Sequence, residues 1–167
     1  MNGVESQKET LSLVHAYLEG AFSDCEGETL SRTVPGATIG SIGSIYLHAL
    51  ASEDWAIQQL LQGKPKIADS GGWFARLGME QAKDPDWAKA NMDLAVMKEF
   101  AQTVYAATDA YLNSITDADL DKEIPWHGGQ THTAGWVLAD VIHAHLSTHA
   151  GEIAALKGVM GKQGLPW

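Results

Sequence analysis

Apolar residues recur along this chain at three- and four-residue spacing in four long segments, and nowhere alternate convincingly at a spacing of two. The pattern predicts four amphipathic helices. The first covers about 5–25, with Leu11, Val14, Leu18, Phe22 and Cys25 on one face. The second covers about 38–61. It follows a Pro35-Gly36 turn, has Thr38 as a candidate N-cap, and is stopped by Gly63-Lys64-Pro65. The third covers about 86–115, starts after Asp84-Pro85, and carries Met92, Val96, Phe100, Ala107 and Tyr111 as its stripe. The last is capped by Thr131 or Thr133 and runs to about Met160, with Gly161 and Gly164 beyond it. Ala (23) and Leu (16) outnumber Val and Ile together (17), which strengthens the helical reading. The expectation is an all-α fold, a four-helix bundle formed by one domain over residues 1–167.

The connections differ in length. Residues 26–36 read as a link. Residues 63–85 hold Gly63, Pro65, Gly71, Gly72, Gly78 and Pro85 and predict a long loop between helices two and three, with room for a short helical turn at 73–77. A loop of that length in a compact domain is often functional, and it permits a crossover connection. Residues 116–131 are acidic, then loop-like through Pro125-Trp126-His127-Gly128-Gly129.

Charge narrows the partners. Lys and Arg number 11 against 21 Asp and Glu, a net charge of −10. A chain without a basic face is not expected to bind nucleic acid or to dock on anionic membranes. One cysteine, Cys25, excludes an intrachain disulfide and any multi-cysteine zinc site. The polar start Met1-Asn2-Gly3-Val4-Glu5-Ser6 does not read as a signal peptide, and no run of 18 apolar residues occurs. The expectation is a cytoplasmic protein acting on a small molecule.

The seven histidines change the picture most. With about 100° per residue and His145 at zero, His149 falls at about +40° and Glu152 at about −20°. Leu138 and Leu156 fall at about +20°, and Val141 and Val159 at about −40°. His145 and His149 are therefore expected in the middle of the apolar stripe, pointing into the core. Burying imidazoles there is costly unless they are paired. Two His at i and i+4 aim both rings at one point, and a metal would satisfy both; the alternative is a pair of hydrogen-bonded core histidines. His48 is the candidate third ligand from a facing helix. Its neighbours Ser41, Ser44, Ser52, Trp55 and Gln59 make a small, polar face suited to a cavity wall. His15 shares its helix's apolar side with Leu18 and Phe22 and is a candidate to line the same cavity. His143 lies about 160° from His145 and is expected to face solvent or a partner chain. His127 and His132 sit near a Gly-rich loop, and Cys25 reads as a packing residue.

Three segments resemble the DinB-like (YfiT-like) metalloenzyme family, which is related to bacillithiol- and mycothiol-dependent transferases. The stretch from Thr38 through His48 to Glu53-Asp54-Trp55 looks like its H-x-x-x-x-E-D/H-W second helix. His145-Leu146-Ser147-Thr148-His149-Ala150-Gly151-Glu152-Ile153 looks like its H-x-x-x-H-R-G-Q-I last helix, entered through His127-Gly128-Gly129. The resemblance implies His48, His145 and His149 as a metal triad. Two positions depart from the pattern: Ala150 stands where the family has Arg, and Glu152 where it has Gln.

Three neutral imidazoles leave a coordination position open, as catalytic sites do. The implied cofactors are one divalent metal ion, Zn or Ni first with Fe or Mn also compatible, and a low-molecular-weight thiol. The expected activity is thiol S-transfer to a small electrophile, with Glu152 as the candidate catalytic residue and His15 and Trp55 lining the cavity. A metal-dependent hydrolase and a non-catalytic metal- or ligand-binding stress protein are the alternatives. The resemblance also implies a homodimer, for which the exposed side of the last helix, with Trp136 and His143, is the candidate interface.

Overall fold

The computed structural model describes residues 2–166. Four long helices dominate. α1 spans Gly3–Phe22, opened by the Asn2 side chain accepting from the Glu5 backbone N–H. A short α2 spans Glu28–Ser31 within the stretch expected to be a plain link. α3 spans Ile42–Asp54 and starts three to four residues later than the periodicity suggests, because Ser41 rather than Thr38 caps it. A π-helical segment, Trp55–Leu61, continues α3 without a break.

The long connection is not bare loop. It carries α4 (Ile67–Ser70), α5 (Trp73–Arg76) and a 3₁₀ turn at Trp87–Lys89, before Asp93 caps α6 (Leu94–Ser114). Pro85 therefore does not begin the third long helix. Its stripe is also rotated from the expected one. Met97, Phe100, Ala101, Val104, Thr108, Tyr111 and Leu112 are buried, whereas Met92, Val96 and Ala107 are only half-buried.

The fold is mostly helical, but a two-stranded antiparallel sheet interrupts it. β1 (Glu123–Pro125) pairs with β2 (Thr131–Thr133), with Ile124 opposite His132. Gly128 and Gly129 adopt positive φ of 66° and 78° and close the hairpin. The strands are three residues each, too short for alternation to stand out in the sequence. Thr133 then caps α7 (Ala134–Val137), which passes through a second π-helical segment, Leu138–Ala144, into α8 (His145–Val159).

α8 packs along α1 and against α3; α3 also packs on α6, and α1 touches α6. The expected α1 stripe is buried at every position, from Leu11 to Cys25. Gly43 lets α3 close on α2: a Cβ there would meet the Leu30 carbonyl at 3.0 Å and the Met92 sulfur at 2.5 Å. Among the described residues, no helix is long and apolar enough to cross a membrane.

Candidate metal centre

His48 projects from α3, and His145 and His149 from the first turns of the facing α8. The three rings converge. Centroids are 5.2 Å apart for His48 and His145, 5.0 Å for His48 and His149, and 4.3 Å for His145 and His149. One ring nitrogen from each lies within 4.8 Å of the other two. The Nε2 atoms of His145 and His149 are 3.0 Å apart.

The triad is not in the core. Leu146, Ala150, Ile153, Leu156 and Lys157 are the buried residues of α8, centred about 90° round from His145. His145 and His149 therefore sit on the α3-facing edge of that stripe and are half-buried, while His48 is exposed. Val159, expected on the stripe, is 68% exposed. Leu138 and Leu156 are buried as expected, but the stripe is centred further round, on Leu146 and Ile153, because apolar residues occur on both sides of the helix. This position puts the three rings on the walls of surface cavities.

The hydrogen-bond pattern fits a cation. Glu152 Oε2 lies 2.6 Å from His149 Nδ1, so the carboxylate holds the proton on Nδ1 and leaves Nε2 bare. His145 Nδ1 is buried with no partner. If His145 donates from Nε2 to His149, its buried Nδ1 lone pair has no donor. If it carries its proton on Nδ1, two Nε2 lone pairs face each other. In the second arrangement a cation between the two bare Nε2 atoms would satisfy both lone pairs. Burial, then the neighbouring His149 and His48, push the His145 pKa down to about 4. Burial, then His149, lower that of His48. Both rings are neutral at pH 7, as metal ligation requires.

Two cavities open on the triad from different sides. One of about 400 Å³ on the His145 side is lined by Trp55, Trp126, His127 and Asp140. The hairpin builds this wall: Trp126 packs edge-on against Trp136 at 5.2 Å, and His132 stacks on Trp136 at 3.7 Å. The other, about 360 Å³ on the His48 side, is lined by Trp55, Phe74 and Trp87 with Lys66 and Lys83. Trp55 borders both cavities. A shallower space between His48 and His149 is bordered by Glu152, Ser44 and Trp87.

His15 lies elsewhere. Its Nε2 is 3.0 Å from the fully buried carboxylate of Glu53, which also accepts from the Thr108 hydroxyl at 2.6 Å. His15 stacks on Tyr105 at 3.8 Å. The Tyr105 and Tyr46 hydroxyls both donate to Glu19, at 2.7 and 2.6 Å. Burial first, then Glu19, raises the Tyr46 pKa. His143 borders this buried group rather than standing free at the surface. It is half-buried, and burial followed by its neighbour His15 holds it below the ordinary imidazole range. The segment carrying it is flanked by both α1 and α3, so a position far round from His145 still faces a helix. Reading positions one by one missed Glu53, Thr108 and Glu19. Their signal was a polar residue within or beside an apolar run. Cys25 is packed as expected, and burial raises its thiol pKa.

The comparisons agree with this architecture. A conserved protein of Enterococcus faecalis, solved by crystallography, superposes with a TM-score of 0.80 over 97% of this chain and 99% of its own, at 18% identity, a likeness of fold. No curated protein sequence matches the chain. The model of the DinB superfamily matches residues 10–153, which include all three histidines of the triad. The chain belongs to the DinB superfamily.

Proposed function

We propose that this protein is a metal-dependent transferase that moves a low-molecular-weight thiol onto a small electrophile. His48, His145 and His149 would hold one divalent ion, Zn or Ni first and Fe or Mn as alternatives. The observation that carries the transferase reading is the pair of cavities flanking the triad, one bordered by His48 and the other by His145, each large enough for an organic molecule. Hydrolysis needs only one such cavity, with water as the second reactant. A non-catalytic binding protein needs no second cavity either.

A divalent ion in such a site supplies Lewis acidity, favouring the ionised form of a coordinated thiol. The chain's own residues do the rest. Glu152 keeps the proton of His149 on Nδ1, so it acts through His149 rather than on substrate. Trp55 stands between the two cavities and orients both reactants. The hairpin wall, through Trp126 and His127, shapes the His145 side. In the overall step a sulfur–carbon bond forms and the leaving group departs with its electron pair. The thiol proton is released to solvent.

Within this reading the four long helices form a four-helix bundle whose crossover is the connection carrying α4 and α5. The protein acts in the cytoplasm as a homodimer, an assembly supported by family resemblance and tested by light scattering. The outer side of the last helix, with Trp136 and the half-buried His143, is the candidate interface.

The test is metal content by mass spectrometry on tag-free protein, followed by turnover of a chromogenic electrophile with a panel of thiols. The expected result is near one divalent ion per chain, lost in His145→Ala, and turnover that requires both metal and thiol. Absence of metal after reconstitution with Zn and Ni would overturn the metal reading. Metal without thiol-dependent turnover would overturn the transferase reading.

A further inference from the structure

Acidic residues outnumber basic ones in this chain, yet two lysines line the cavity on the His48 side. Lys66 is half-buried, with a side chain 14% exposed. Its ion-pair partner, Asp69, stands at 3.7 Å, too far for a hydrogen bond. Lys83 makes no ion pair among the described residues. Asp84 lines the same cavity, one carboxylate against two ammonium groups, and with Asp69 borders the adjoining space that the same two lysines share.

Lys66 is held in place from below. The buried Asp54 carboxylate accepts from the Ile67 and Ala68 backbone N–H groups, at 2.9 and 3.0 Å. That clamp ties the start of α4 to the end of α3, five to seven residues beyond His48. Trp55, Phe74 and Trp87, with Ala51, Ala68 and Pro85, supply the apolar part of the lining, beside Ser52 and His48. The partly desolvated Lys66 ammonium, with Asp69 beyond hydrogen-bond distance, keeps its N–H donors free for an incoming anion.

We infer that this cavity binds a small organic anion, an aromatic or aliphatic body carrying a carboxylate or phosphate group held by Lys66 and Lys83. The inference names the charge class of one reactant and rests on the proposed function only for the identity of the site as a reaction centre.

The test uses the full chain, metal-loaded and metal-free, titrated with benzoate, phenylphosphate and the neutral isostere benzamide. Trp55 and Trp87 fluorescence reports occupancy, and calorimetry confirms it. The expected result is binding of both anions in either metal state, weakening with salt, and benzamide about tenfold weaker. Lys83→Gln and Lys66→Gln each weaken the anions about tenfold and leave benzamide and metal content unchanged. Benzoate against phenylphosphate tells which anion the cavity prefers. Equal binding of benzamide, or indifference to both lysine changes, overturns the inference, as does anion binding that exists only with metal. Failure of the metal reading is separate: it shows as absent metal uptake whatever the anions do.

Discussion

His149 and Glu152 stand one turn apart on α8, with the imidazole Nδ1 and a carboxylate oxygen 2.6 Å from each other. The carboxylate makes His149 a better donor by holding the proton on the far nitrogen. Glu152→Ala is expected to lower divalent-metal affinity about 10–100-fold. Glu152→Gln, which keeps an acceptor but loses the charge, loses less. Competition against a chromophoric chelator measures both, and unchanged affinity in Glu152→Ala would remove this role.

Stability of the metal-free protein should fall on acidification through a defined window. An unfolded histidine takes up its proton near pH 6.5, whereas folded His145 resists protonation until about pH 4. Between those values the unfolded chain binds the extra proton, so this group's contribution is complete above about pH 6.5 and is lost as pH falls toward 4. Calorimetry in chelator should show that decline, and His145→Asn should show a shallower one. Identical pH profiles would refute the assignment.

The Glu53 carboxylate is fully buried and holds both His15 and Thr108. Glu53→Ala leaves two buried polar partners unmatched and should cost about 3–5 kcal/mol in urea unfolding. Metal affinity of the folded fraction should hold, because Glu53 contacts none of the triad. A loss of metal without a loss of stability would mean the buried network serves the centre directly.

Asp54→Ala removes the acceptor for two backbone N–H groups at the start of α4. The expected cost is about 2 kcal/mol, from lost hydrogen bonds to a charged group. Hydrogen exchange should rise at Ile67 and Ala68 while α1 and α8 keep their protection. Uniform protection across the chain would show that the clamp is dispensable.

Much of this architecture could be read from residues. The α1 stripe is a plain three-four repeat because one side of that helix meets a single continuous core. The three histidines stand out as polar residues in apolar helices. Other features were hidden for physical reasons. β1 and β2 are too short to alternate. α4 and α5 are single turns stabilised by tertiary contacts such as the Asp54 clamp, which no local propensity encodes. The orientation of α8 was misjudged because Leu and Val flank its true core face. Glu53 was hidden because its partners His15 and Thr108 lie 38 and 55 residues away.

The π-helical segment Leu138–Ala144 joins the aromatic wall to the histidine helix. An i→i+5 turn inside a helix accommodates one residue beyond the α-helical count. Gaining or losing a single codon there would swing Trp126, His132 and Trp136 about the helix axis, while His145, His149 and Glu152 keep their mutual spacing. The bulge therefore acts as a phase setter, fixing which aromatic side chains share a side of the helix with His145 and His149.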